Sequence, residues 1–240
     1  MSLLATARSY RPRRPSISSP PLPPGQREVS AFPRFSDDPL RWAPEVGDPV
    51  VEVSIPGQEV HVLDLRSAGS SFIERTHDFH CVTTWSYRGV RWGGYVLADL
   101  FASGLGLDVA SLPKFAAAYG ADDRHAVFCT EDLVHPSVLL ATELDGQPIG
   151  QRHGGAVRLV CPLQYGYKSA KHLRRIEFSD ERPTGSFGKK EHLRGRVSEE
   201  ERHGTLPNWL LRRPYRLTVV PTALVADRGL ANSPSMNESA

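Results

Sequence analysis

The chain has few cysteines, no long apolar run and almost no net charge, and each shortage removes a class of function. Its 240 residues hold three cysteines, Cys81, Cys129 and Cys161. An odd, low count argues against a disulfide framework. No CxxCH sequence is present to attach a haem, and with one cysteine committed to a metal the rest are too few for a four-cysteine iron–sulfur cluster. No stretch approaches the ~20 apolar residues of a membrane span. Arg13-Arg14 opens like a twin-arginine export signal, but proline and serine fill 15–24 where such a signal needs an apolar run, so a cytoplasmic protein is expected. A net charge of +2 gives no bulk attraction for nucleic acid.

What is present fits one substantial domain with extensions. Hydrophobic content is 40% and charged content 23%, ordinary for a globular chain. Residues 1–40 carry Arg8, Arg11, Arg13 and Arg14, many prolines and no acid before Glu28. They read as a flexible tail, either a basic docking arm or a solvated leader. Residues 41–182 read as the folded domain, starting near Trp42. Residues 183–228 form a charged extension in which Trp209 and the apolar run 217–225 suggest packing on the core, and 229–240 read as disordered. Within the extension, Glu199-Glu-Glu-Arg-His203 is an ion-paired solvated face or part of a partner surface. Alternation and apolar runs predict strands at 49–55, 78–85, 115–119, 126–129, 157–161 and 175–178. Short helices are expected at 61–66, 96–101, 136–143 and 169–173, with a Gly-rich loop at 87–95. Short strands mixed with short helices make an α+β domain.

Two segments carry the chemistry. The first is His77-Asp-Phe-His-Cys-Val-Thr-Thr-Trp-Ser86; the second runs from His153-Gly-Gly through Arg158 and Cys161 to Tyr165-Gly-Tyr-Lys-Ser-Ala-Lys171. In a helical turn Lys168 and Lys171 would share one side. Ser169 would then sit at a helix start, where free N–H groups favour an anion. Arg158 adds a planar donor fork from the preceding strand. The set is a phosphate cradle or a surface basic cluster. A lone cysteine in an apolar strand usually packs as a small hydrophobe, as Cys129 and Cys161 are expected to. Around Cys81, however, stand His77, His80, Thr83 and Thr84. A thiolate there could bind a transition metal or act with a histidine as a nucleophile.

These two segments, in this order and spacing, resemble the molybdopterin-binding domain of the sulfite oxidase superfamily, and more distantly the catalytic subunit of the periplasmic methionine sulfoxide reductase. The resemblance spans about 42–178 and is densest over 139–178. It implies the superfamily's molybdopterin-binding fold, a Mo-molybdopterin cofactor and oxidoreductase activity. It implies that Cys81 is the molybdenum ligand and that His153, Arg158, Ser169, Ala170 and Lys171 hold the pterin and its phosphate, with His77 and His80 as orienting candidates. Sulfite oxidases place an oxyanion-binding arginine where this chain has Ser86, so sulfite is a doubtful substrate. Their upstream R-N-H type segment is not recognisable in 28–60. Where they place a tyrosine beyond the phosphate lysine, this chain has His192, with Arg194 nearby, as pocket candidates.

The reading is an oxygen-atom-transfer enzyme for a small-molecule substrate, exchanging electrons with a separate redox partner, its oligomeric state open. Two rivals stand beside it: a cofactor-binding carrier or sensor without turnover, and a metal-free Cys–His thiol enzyme.

Overall fold

The computed structural model describes residues 3–16, 19–34, 45, 47–68, 70–186, 188 and 191–231, so the expected domain start at Trp42 lies outside the described residues. In chain order the regular elements are α1 (Leu3–Ser9), β1 (Arg27–Glu28), β2 (Val50–Ser54), β3 (His61–Asp64), β4 (Ile73–His80), β5 (Trp85–Val96), α2 (Leu97–Asp99), β6 (Phe115–Gly120), β7 (His125–Cys129), α3 (Thr130–Leu133), β8 (Leu139–Leu144), β9 (Gln147–Pro148), β10 (Arg158–Val160), β11 (Leu173–Ser179) and α4 (Arg212–Ala231). They form an α+β fold with two sheets. One runs β1-β5-β8-β10, with β4 paired to β5 and β9 to β8; the other runs β3-β2-β11-β6-β7. The main apolar cluster draws on both, Val51, Val53 and Ile176 from the second sheet meeting Leu140 and Leu159 of the first.

Several expectations change for physical reasons. Residues 61–66 are not helical: His61–Asp64 pairs antiparallel with β2, turning Leu63 inward and leaving Val62 60% exposed. The loop expected at 87–95 lies within the twelve-residue strand β5, where Val90 and Trp92 are buried. The helix expected at 136–143 is strand β8, because Leu139, Leu140 and Ala141 are wholly buried and a short continuous apolar run does not separate strand from helix. No helix forms at 169–173 either; tight turns there lead directly into β11.

Among the described residues, both terminal segments pack on the core. The stretch read as a free tail adds β1 in parallel to the start of β5 and buries Tyr10, Gln26 and Val29. Composition concealed this, because the segment gains burial by joining an existing sheet rather than by a periodicity of its own. The Tyr10 hydroxyl donates to Asp227 (2.7 Å) and Arg34 to the Ala226 carbonyl (2.6 Å), so leader and α4 lie together. Helix α4 buries Val219, Ala223 and Ala226 and runs to Ala231, past the expected onset of disorder; 232–240 lie outside the described residues. Trp209 does not pack back and is 67% exposed. Among the described residues no helix is long and apolar enough to cross a membrane.

β5 and β8 approach closely at Gly94, where an added Cβ would lie 2.2 Å from the Leu140 carbonyl oxygen. Backbone cannot yield there as a flexible side chain would. Gly94→Ala is expected to destabilise the fold by roughly 1–3 kcal/mol, read as a lower urea midpoint.

Candidate functional site

Cys81 sits on the tight turn that joins β4 to β5. Its N–H donates to the Trp85 carbonyl (2.8 Å) and its own carbonyl accepts from the Thr84 N–H (3.1 Å). Thr84 has φ 77, a left-handed conformation that a β-branched residue rarely adopts. Such strain persists only where surrounding contacts over-determine it, and here they do. The Gln26 amide donates to the Cys81 carbonyl (3.0 Å) and the Arg27 N–H to the Thr84 carbonyl (2.9 Å). Arg202, whose side chain is fully buried, donates from Nη1 to the Val82 carbonyl (2.6 Å), from Nη2 to the Pro24 carbonyl (2.9 Å) and from Nε to Glu200 (3.1 Å).

The Ser86 hydroxyl donates to Gln26 Oε1 (3.0 Å), so its contact with His80 Nδ1 (2.8 Å) requires the histidine to donate. Burial lowers the His80 pKa to about 4, leaving it neutral at neutral pH. Cys81 is buried, with Sγ 3.2 Å from Thr83 Oγ1, and burial pushes its thiol above the ordinary range.

The turn faces a cavity of about 300 Å³. Phe32, Phe79, Trp85, Ala170 and Tyr215 supply apolar wall; Arg124, Arg158, Lys171 and Arg202 supply cations, with Asp122 and Glu191 the acids. The two sequence segments are tied by backbone, the Gly166 N–H donating to the His80 carbonyl (2.7 Å). Arg158 is 1% exposed. Its Nη1 donates to the His153 carbonyl (2.9 Å), and its guanidinium lies 5.2 Å from the Phe79 and Trp92 ring centres. Its Nε is buried with no hydrogen-bond partner, and among the described residues it makes no ion pair with a carboxylate. Burial, with Arg158 the next cause, lowers Lys171 to about 7. Gly154, at φ 93, lets the His153 loop pass close beneath Lys171; a Cβ there would meet the lysine Cβ at 2.5 Å.

The structure thus brings Cys81, Arg158, Ser169, Ala170 and Lys171 to one cavity. Lys168 is elsewhere: its fully buried Nζ pairs with Glu191 (3.0 Å) and donates to the Leu193 carbonyl (2.9 Å) and the Val127 carbonyl. The reason is the missing helix, without which residues three apart do not share a side. Ser169 likewise has no helix N-terminus, and its hydroxyl accepts from the Cys161 N–H (3.1 Å). His153 stands behind the wall, stacked on Phe32 at 4.9 Å, and burial lowers it to about 3. His77 and His80 are on β4 and do not line the cavity.

Nor do the pocket candidates His192 and Arg194 line it. His192 accepts from the Gly195 N–H, and its carbonyl accepts from Tyr167; Arg194 pairs with Glu131 and Asp132. Sequence reasoning missed Gln26, Phe32, Arg202 and Tyr215. Their only signal was position: Gln26 and Phe32 in a Pro-rich leader, Arg202 in the mixed-charge run 199–203, and Tyr215 among the arginines of 212–216.

An anion fits this cavity. A buried guanidinium with an unsatisfied N–H and a lysine depressed by burial and then by neighbouring cations are both stabilised by a negative partner. The buried thiol beside them suits a metal, whose charge drives deprotonation.

Residues 36–187 match the family described as "Oxidoreductase molybdopterin binding domain". The chain is 31% identical over 128 residues to the protein-methionine-sulfoxide reductase catalytic subunit MsrP of Campylobacter jejuni, covering 48% of this chain and 43% of the relative. It is 28% identical over 184 residues to the MsrP of Ralstonia nicotianae, covering 67% of this chain and 55% of the relative. The chain therefore spans about half the length of these curated relatives. A solved structure, the sulfane dehydrogenase SoxCD of Paracoccus pantotrophus, aligns with a TM-score of 0.47 at 15% identity, covering 69% of this chain and 46% of that chain.

Two outcomes follow from this geometry. Arg202→Met leaves Glu200 and two buried carbonyls short of a donor, and is expected to cost about 3 kcal/mol of unfolding free energy. Cys81 in the metal-free protein should then react faster with a thiol reagent, as the turn loosens. Anion binding should follow Lys171, which is charged below about pH 7 and neutral above it. Sulfate, doubly charged throughout, is expected to bind about tenfold more weakly at about pH 8 than at about pH 6. Calorimetry on the cofactor-free protein checks this, and Lys171→Met should flatten the profile.

Proposed function

Because the chain belongs to the oxidoreductase molybdopterin-binding domain family, we propose that this cavity holds a Mo-molybdopterin cofactor and that the protein is an oxygen-atom-transfer oxidoreductase. The observation that carries the reading is the convergence of the Cys81 thiol with Arg158 and Lys171 on one cavity. When bound, the cofactor supplies two-electron molybdenum redox chemistry coupled to movement of an oxygen atom. Under this reading the Cys81 sulfur ligates the metal and gives up its proton on doing so. Arg158 and Lys171 hold the cofactor phosphate, and its charge restores a full proton to Lys171. Phe79 and Trp85 shield the metal side from water, while Gln26 and Arg202 fix the direction in which the sulfur points.

The names of the relatives make a sulfoxide the first substrate class to test: two electrons and two protons convert it to a thioether and water. Sulfite remains disfavoured. Ser86 is fully buried and spends its hydrogen bonds on Gln26 and His80, so it presents no cation to the cavity. That same observation favours, as the second reading, a molybdopterin carrier or sensor without turnover. Dye-linked sulfoxide reduction by purified, molybdenum-loaded protein separates the two.

Elemental and pterin analysis tests the cofactor. One molybdenum per chain is expected in the wild type. Cys81→Ser should keep the pterin but lose activity and the thiolate-to-metal absorption band. Lys171→Met should weaken cofactor retention by roughly ten- to a hundredfold, since a charge-assisted bond is worth ~1.5–3 kcal/mol. A wild-type preparation free of molybdenum, from cells able to make the cofactor, would overturn the reading.

A further inference from the structure

Part of the cavity wall beside Cys81 comes from outside the residues that match the family. Helix α4 begins at Arg212, beyond residue 187, and two anchors hold its first turns against the cysteine turn. Arg212 donates from Nε to Glu200 (2.6 Å), and Glu200 also takes Arg202, which donates to the Val82 carbonyl (2.6 Å). About two turns later, Val219 is wholly buried in one apolar cluster with Cys81 and Trp85. Tyr215 lies between these anchors, four residues before Val219 and so on the same face of the helix. It lines the cavity together with Cys81, Val82 and Thr83.

Tyr215 carries an uncommitted donor. Two tyrosines line the cavity, Tyr167 and Tyr215. The Tyr167 hydroxyl donates to the His192 carbonyl (3.1 Å). The half-buried Tyr215 hydroxyl makes no hydrogen bond among the described residues. The cation nearest to hand, Arg202, already donates from every one of its side-chain nitrogens. Beside the thiol the cavity therefore offers a neutral phenol, set among Phe79, Val82 and Trp85. A neutral donor in an apolar wall suits a neutral acceptor flanked by apolar arms. A sulfoxide is such a group: its oxygen accepts, it has nothing to donate, and both its substituents are carbon. An oxyanion would need unspent positive charge there; Arg158 and Lys171 are assigned to the phosphate.

We propose that the Tyr215 hydroxyl binds the substrate oxygen, and that the substrate is a small neutral sulfoxide rather than an oxyanion. The proposal rests on the oxidoreductase reading above and deepens it by naming the residue that selects the substrate. In the overall conversion the sulfur–oxygen bond breaks and an external reductant supplies two electrons. The oxygen takes two protons from solvent and leaves as water. Tyr215 keeps its own proton and contributes the hydrogen bond that orients the oxygen.

The test is a fluorine NMR titration of para-fluorophenyl methyl sulfoxide, and of the matching thioether, into the full chain purified from cells able to make the cofactor. Dye-linked turnover and molybdenum content are measured on the same samples. Wild type is expected to bind the sulfoxide about tenfold more tightly than the thioether, the scale of one hydrogen bond. Tyr215→Phe keeps the ring and should erase that preference, while KM for the sulfoxide rises about tenfold. Thioether affinity, molybdenum content and thermal midpoint should stay as in wild type. A tyrosine that only packs α4 would leave the preference where it was. Sulfite at equal concentration should not displace the sulfoxide. A Tyr215→Phe variant that keeps the preference, a wild type without one, or displacement by sulfite would overturn the proposal. A preference for the sulfoxide in wild type that holds no molybdenum and does not turn over would instead count against the oxidoreductase reading alone.

Discussion

Arg202 donates at once to the carbonyls of Val82 and Pro24 and to the Glu200 carboxylate, from a position with no solvent access. Those bonds, with the Gln26 amide on the Cys81 carbonyl, set where the cysteine turn stands. A four-residue turn with a threonine in the left-handed region has no intrinsic reason to hold one shape. The cost of the strained φ is met by donors that arrive from both ends of the chain. The sheets determine that β4 and β5 meet; the clamp determines the direction in which the thiol leaves their junction.

The cavity itself is shaped by a second constraint, the scarcity of negative charge. Arg158 is enclosed by Phe79 and Trp92, whose ring faces attract a cation but do not accept its remaining N–H. Burial, and then Arg158, lowers the pKa of Lys171 to about 7. By contrast Lys168, three residues away, is fully satisfied by Glu191 and backbone carbonyls. Two lysines in one short segment thus have opposite fates. One is enclosed among carbonyls and a carboxylate; the other lines the cavity beside Arg158 and Cys81.

That division explains what the sequence could and could not disclose. Cys81, Arg158, Ser169, Ala170 and Lys171 were legible because each lies in a contiguous run whose order constrains its neighbours. Lys168 was misassigned because a spacing of three means one side only on a helix, and the segment is a succession of turns. Strand β8 was read as a helix because a strand buried on both faces loses its alternation. His192 and Arg194 fell in roughly the right region but were drawn away by Gly195 and Glu131. Gln26 and Arg202 were beyond reach. Their contacts span 55 and 120 residues, and nothing local distinguishes a clamp from a solvated polar side chain.

The same separations order events in time. The turn that bears Cys81 is complete, with its β4–β5 hairpin, long before residue 202 leaves the ribosome, and Arg202 must reach back 120 residues to Val82 and 178 to Pro24. Closing loops of that length is slow relative to hairpin formation. The contacts that aim the cysteine are therefore among the most distant in sequence that the fold has to close, and the direction of the thiol is settled only when the C-terminal part of the chain is in place.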